Sequence, residues 1–304
     1  MPDAPELGER IAELDAVLTR DGGSVDQRAR VRVAEALVSK ARWLLQLERV
    51  DEALVCFDSV VARFGDDADG QLRLLVARAL GNRGYALLEL ARYNEADPAF
   101  DEVIARFGTD PSPKLRRQVA RALHNKAYCL EKAGDCATAI EVVNELNEQF
   151  TADVTPAIPR IVADGLSVKA RALTRLRRPK EAVATYDDII ERCGSDTDPD
   201  LREIVALALW FKADLLTKSD RGRAIAGLDD LLRRFGSTTD PDLRLHVVNA
   251  FAMKGHMLEL EGRPREAAAT YARLLARFPA DERPDIDKAV AWARARDRAI
   301  GAQP

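Results

Sequence analysis

The sequence predicts an all-α fold: a right-handed α-solenoid of six helix–turn–helix repeats with a half-repeat cap at each end. Three observations predict it. The chain aligns on itself at a register of 43 residues, with one slip to 42 in the fifth copy. Within each copy two stretches place apolar residues at i, i+4 and i+7, the face of an α-helix. A residue suited to capping a helix N-terminus recurs at the same point of every copy. The copies span 26–68, 69–111, 112–154, 155–197, 198–239 and 240–282, and together with both caps they form a single predicted domain.

The first helix of each copy is defined by three columns. Leu37, Leu80, Leu123, Leu166, Leu209 and Phe251 open the apolar stripe. Four residues on stand Ala41, Gly84, Ala127, Ala170, Ala213 and Gly255, always small, and three further on Leu44, Leu87, Leu130, Leu173, Leu216 and Leu258. The second helix carries Ala53, Ala96, Ala139, Ala182, Ala224 and Ala267, then Phe57, Phe100, Val143, Tyr186, Leu228 and Tyr271 four later. Small residues where two helices cross let their backbones approach closely.

The boundaries recur as well. Asp26, Asp69, Ser112, Thr155, Asp198 and Asp240 stand at the expected N-caps, and Pro113, Pro156, Pro199 and Pro241 follow at the first helical position, where no N–H is missed. The second helices are expected to stop at Gly65, Gly108, Gly194 and Gly236 through a left-handed residue. Residues 6–20 match a second helix and 285–300 a first helix, so both ends are predicted to be half-repeats covering the stack.

Composition narrows the function. The net charge of −4 offers no global field for a polyanion, so nucleic acid is not an expected partner. No apolar run approaches the roughly 18 residues that span a bilayer, and the first residues lack the pattern of a signal peptide. A cytoplasmic protein without membrane attachment is expected. Cys56, Cys129, Cys136 and Cys193 form no metal-ligand spacing, and His124, His246 and His256 have no nucleophile beside them. No phosphate-binding glycine loop is present. Neither catalysis nor a metal or other cofactor is expected.

The small-residue column, the recurring Leu, the all-Ala column and the aromatic four beyond it resemble the tetratricopeptide repeat, over nearly the whole chain. The copies depart from the 34-residue unit of that family by their length, by Leu or Phe at its first Trp and by Gly at its terminal Pro. They are similar to a long-repeat bacterial variety ending in Arg-Phe-Gly. The resemblance implies a non-catalytic scaffold that holds a segment of another protein in a groove.

Two basic columns read as structural. Lys40, Arg83, Lys126, Lys169, Lys212 and Lys254 stand level, counting back from the turn, with Asp58, Asp101, Glu145, Asp187 and Asp229 on the second helix of their own copy; the sixth copy has Ala272 and Arg273 there. Arg30, Arg73, Arg116, Arg202 and Arg244 alternate with loop acids such as Asp66, Asp67, Asp196 and Asp242.

The face that varies between copies is free to read a partner. In the register of the resembled family, the first helices present on their inner wall Arg78, Asn82, Tyr85, Arg121, His124, Asn125, Tyr128, Arg171, Trp210 and Phe211. Arginine forks suit carboxylates and aromatics supply anchors, so an acidic peptide is the expected ligand. Arg121 and Asn82 are similar to part of the carboxylate clamp of chaperone-binding tetratricopeptide domains, whose full set is absent. Tyr85, Trp210 and Phe211 serve equally well as packing between repeats. A tight pocket at Trp210 and Phe211 would instead suit a sensor that binds a small ligand or short peptide and acts through a partner.

Overall fold

The structure is a computed structural model that describes residues 4–155, 157–279 and 283–301. Among them it contains fourteen α-helices and no strand. A single helix, α1 (Ala4–Asp21), precedes six pairs: α2 (Gln27–Gln46) with α3 (Val50–Phe64), α4 (Gly70–Glu89) with α5 (Tyr93–Phe107), α6 (Pro113–Ala133) with α7 (Cys136–Phe150), α8 (Ile158–Arg175) with α9 (Pro179–Cys193), α10 (Pro199–Leu216) with α11 (Arg221–Phe235), and α12 (Pro241–Leu260) with α13 (Pro264–Arg277). The last helix is α14 (Pro284–Gly301). No helix is long and apolar enough to cross a membrane. The chain forms two compact units that meet within α8, one up to Val168 and one from Lys169.

The columns make the core. Every member of the all-Ala column is fully buried, and so are Phe57, Phe100 and Tyr271 four residues on. The small column of the first helix faces these rings. A Cβ on Gly84 would stand 2.7 Å from Phe100 Cε1, and one on Gly255 would stand 2.3 Å from Tyr271 Cε1. Burying each such ring contributes roughly 1.5–3 kcal/mol, so a thin two-layer stack is held by one large side chain per pair set against a residue with little or no side chain.

Capping follows four of the six expected positions; the exceptions are Ser112 and Thr155, the latter because α8 begins only at Ile158, whose N–H donates to Thr155 O at 3.0 Å. Asp26 accepts from Ala29 N, Asp69 from Gln71 N and Leu72 N, Asp198 from Asp200 N and Leu201 N, and Asp240 from Asp242 N. Ser112 has the N-cap backbone but makes no side-chain capping bond; its own N–H is instead fixed by Asp110 Oδ1 at 2.8 Å. Pro113, Pro199 and Pro241 open their helices, whereas Pro156 lies outside the described residues.

The left-handed stop lies elsewhere than expected. Gly65, Gly108, Gly194 and Gly236 are right-handed, with φ of −56°, −56°, −65° and −58°. Crowding accounts for glycine at these sites: a Cβ on Gly65 would meet Val61 O at 2.6 Å and Arg106 Nη1 at 2.9 Å. Arg106 donates to Gly65 O at 3.2 Å, Gln149 to Gly108 O at 2.9 Å and Arg234 to Gly194 O at 2.8 Å, so each second helix ends on the preceding copy. Left-handed residues stand instead at Ala157 before α8 and inside five of the six pairs, at Glu48, Ala91, Gly134, Arg177 and Gly262. There the N–H of the next residue closes the first helix, as Arg92 N does on Leu87 O at 2.9 Å.

The lysine column is structural, but its acids belong to the preceding copy. Lys40 pairs with Asp15 at 2.5 Å, Arg83 with Asp58 at 2.8 Å, Lys126 with Asp101, Lys212 with Asp187, and Lys254 with Asp229 at 2.5 Å. The pairs bridge copies because α2, α4, α6, α10 and α12 each pack against the helix before them as well as against their own second helix. The lack of acids in the sixth copy therefore leaves Lys254 partnered. In the second basic column Arg30, Arg73 and Arg116 pair with Asp67, Asp110 and Asp153, while their guanidinium groups lie 4.9–5.8 Å from Phe64, Phe107 and Phe150. The other oxygens of these aspartates accept the N–H of Asp69, Ser112 and Thr155, so each acidic loop fixes the start of the next copy.

Candidate functional site in the first unit

In the first unit α2, α4 and α6 touch in succession, whereas among the described residues α3, α5 and α7 do not touch one another. The same holds in the second unit for α10, α12 and α14 against α9, α11 and α13. Helices that touch along one side of a stack, while their partners spread on the other, define its inner wall. In each unit the first helices are that wall.

Seven of the ten expected site residues lie on α4 and α6: Arg78, Asn82, Tyr85, Arg121, His124, Asn125 and Tyr128. Arg78, Asn82 and Arg121 line one hollow of about 410 Å³ together with Val38, Arg42, Arg117 and Gln118. Helical spacing builds it. Val38 and Arg42, Arg78 and Asn82, and Arg117 and Arg121 are each four residues apart, so three adjacent helices each aim two side chains at one place.

The electrostatics of this hollow differ from those of the columns. None of Arg42, Arg78, Arg117 and Arg121 forms an ion pair with a carboxylate among the described residues. Burial, and then the charges of Arg117 and Arg78, lower the pKa of Arg121. The residue as a whole remains exposed. Tyr85, 47% exposed, has its pKa raised by burial first and then by its hydrogen bond to Glu89. His124 Nδ1 lies 3.1 Å from Asn125 Oδ1, and Lys132 Nζ stands 5.1 Å from the centroid of the Tyr128 ring.

The other three expected residues lie in the second unit. The Phe211 ring stacks on Tyr186, centroids 6.0 Å apart at 12°, and Trp210 meets Phe211 edge-on at 5.0 Å. Burial pushes the Tyr186 hydroxyl up to about 12, against the opposing charge of Arg171. Both aromatics thus take part in packing within this unit. The crevice of about 450 Å³ formed there by α9, α10 and α11 is lined by others, among them Pro179, Val183, Leu215 and Leu216.

The sequence reading missed Arg117, Gln118 and the part played by Arg42 in the hollow. Arg117 falls in a column with Val31 and Leu74, which reads as apolar, yet Arg160 and Glu203 continue that column and mark it as variable.

Fold and inner wall together define a class, the helix-hairpin repeat proteins that present a groove along their first helices. Residues 82–153 match the profile of the tetratricopeptide repeat, and the same columns run through the other copies. No curated protein matches the chain. Among solved structures it is similar to pilF of Pseudomonas aeruginosa, at 13% identity and a TM-score of 0.53 over 88% of this chain and 98% of that one. It is likewise similar to BtubC of P. vanneervenii, at 13% identity and 0.53 over 92% and 94%. The apo quorum sensor NprR of B. thuringiensis is similar at 14% identity and 0.55 over 95% and 80%. At these identities the likeness is one of fold.

Proposed function

We propose that this protein is a non-catalytic scaffold that holds an acidic segment of a partner protein against the inner wall of its first helices. One observation supports the reading most: four arginines that have no carboxylate partner among the described residues share one hollow in a chain whose net charge is −4. In the first three copies every cation of the two basic columns is paired with an acid. A cluster left unpaired on a surface that varies between copies suits recognition. Asn82 and Gln118 add neutral hydrogen-bonding groups, and Tyr85 adds an exposed ring beside the hollow. Solenoids commonly bind extended segments along such a wall.

The test starts with proteins co-purified from the native host with wild-type protein but not with Arg78→Glu/Arg121→Glu. For a partner so identified, the double variant should bind at least ~100-fold more weakly, about 2.7 kcal/mol, with unchanged helical content. Wild-type affinity should fall with salt. A partner whose affinity survives both the charge reversal and Tyr128→Ala would refute the site.

A further inference from the structure

We infer that the hollow of α2, α4 and α6 is a pocket for a phosphate monoester, such as a phosphorylated serine or threonine on the bound segment. This deepens the reading above and rests on it. Arg42, Arg78, Arg117 and Arg121 converge with the side-chain amides of Asn82 and Gln118 in about 410 Å³. In the first three copies each cation of the two repeating columns meets an acid, as Lys40 does Asp15, Arg83 does Asp58, Arg73 does Asp110 and Arg116 does Asp153. The pocket departs from that rule four times over in one place.

The number of charges selects the ligand. Guanidinium groups do not deprotonate in proteins, so the mutual repulsion of Arg78, Arg117 and Arg121 persists until an anion enters. One carboxylate brings a single negative charge and two oxygens. A phosphate monoester brings about −1.5 to −2 charges at neutral pH and three strong acceptor oxygens. Arginine forks engage two such oxygens at once, and three helices offering forks from different directions suit a tetrahedral group better than a planar one. The arrangement is confined to the first three copies. The fifth and sixth have Leu207 and Asn249 in the column of Arg78 and Arg121, and Glu203 and Leu245 in that of Arg117.

Calorimetry on the whole chain tests this with four probes: inorganic phosphate and the peptides Ac-Ala-Ala-Xaa-Ala-Ala-NH2 with phosphoserine, glutamate or serine at Xaa. The phosphoserine peptide should bind at least ten-fold more tightly than the glutamate peptide. Its affinity should fall at least ten-fold in Arg117→Gln/Arg121→Gln, and should weaken from pH 7.5 to 5.5 as the ester takes up its second proton near pH ~6. Should the double variant lose helicity, Arg42→Gln on the exposed rim reads the same contact. Inorganic phosphate binding as tightly as the phosphopeptide would support the same pocket chemistry with the free ion as its source. A glutamate peptide binding as tightly as the phosphopeptide would overturn the phosphate assignment and leave the acidic-segment reading standing. No binding by any probe would overturn the pocket, while the fate of the acidic-segment reading would still be read from the co-purified partner.

Discussion

Replacing Gly255 by alanine tests the packing rule of the stack where it is tightest. The new Cβ would lie 2.3, 2.6 and 2.9 Å from Cε1, Cζ and Cδ1 of Tyr271, so the ring must retreat by roughly 1 Å to reach ordinary contact. It has little room, since Tyr271 is fully buried and meets Trp292 of α14 edge-on at 5.8 Å. Its hydroxyl donates to Glu259 Oε1 at 2.6 Å, and Glu259 is paired with Arg296 of α14. Overpacking of this kind costs about 1–3 kcal/mol, and losing the hydrogen bond to a charged carboxylate about 1.5–3 kcal/mol. Alanine returns about 1 kcal/mol through its helix propensity. The net expectation is a loss of about 1.5–5 kcal/mol, read from urea unfolding followed by circular dichroism. In a Tyr271→Leu background, which recreates the Ala213 and Leu228 pair of the fifth copy, the same substitution should be neutral or stabilising. A cost below ~1 kcal/mol in the wild type, or an undiminished cost in the leucine background, would refute the argument from the ring.

Ala91 holds a left-handed backbone at φ 57° where the third and sixth copies have Gly134 and Gly262. Ala91→Gly should therefore stabilise the first unit by about 0.5–1 kcal/mol, since relief of about 1–2 kcal/mol of strain outweighs the entropy cost of glycine; urea midpoints check it. Lys126→Met should change stability by less than ~1 kcal/mol and leave partner binding unaltered, because Asp101 is half exposed. Calorimetric binding lost without loss of stability would move that column into the site. Hydrogen bonds from Arg20 and Arg32 hold the Asp21 carboxyl well below the usual carboxylate range, although those arginines reach into water. A carboxyl depressed on folding stabilises above its unfolded pKa near ~3.9, and that contribution is lost as pH falls below it. Thermal melts should thus show wild type losing its advantage over Asp21→Asn below about pH 4, and a constant difference down to pH 2 would contradict the linkage between α1 and α2.

The helices and their core were legible because small, large and aliphatic columns are spaced at one helical face and repeat six times over. Other features left no such mark. Glu48, Ala91 and Arg177 adopt left-handed backbone without being glycine, so composition does not announce the turn, whereas the glycines of the Arg-Phe-Gly ending are explained by the carbonyl oxygen four residues before, which leaves no room for a Cβ. The acid partner of the lysine column was ambiguous by periodicity itself. Lys40 has Asp58 eighteen positions ahead and Asp15 twenty-five behind, and a perfect repeat offers both in every copy. Only the ends break the tie, since Lys254 has no acid ahead while Asp15 waits in α1. At the candidate site the wall residues were readable as variable columns. Convergence was not, because it depends on Arg42, Arg78 and Arg117 coming from three different columns of three neighbouring helices.

The backward reach of each copy makes the joint between copies directional. Lysines find acids, and arginines find glycine carbonyls, always in the copy before, so every copy carries donors at one end and acceptors at the other. Such an architecture grows by whole units: a copy duplicated in register arrives with both halves of the joint already matched. Breaking the chain in the middle of a copy strands one half. Asp15 in α1 supplies the acid for Lys40, so the same joint also links α1 to the first copy. Length is in this sense a free variable of the design, adjustable in steps of one copy without rewriting any contact within it.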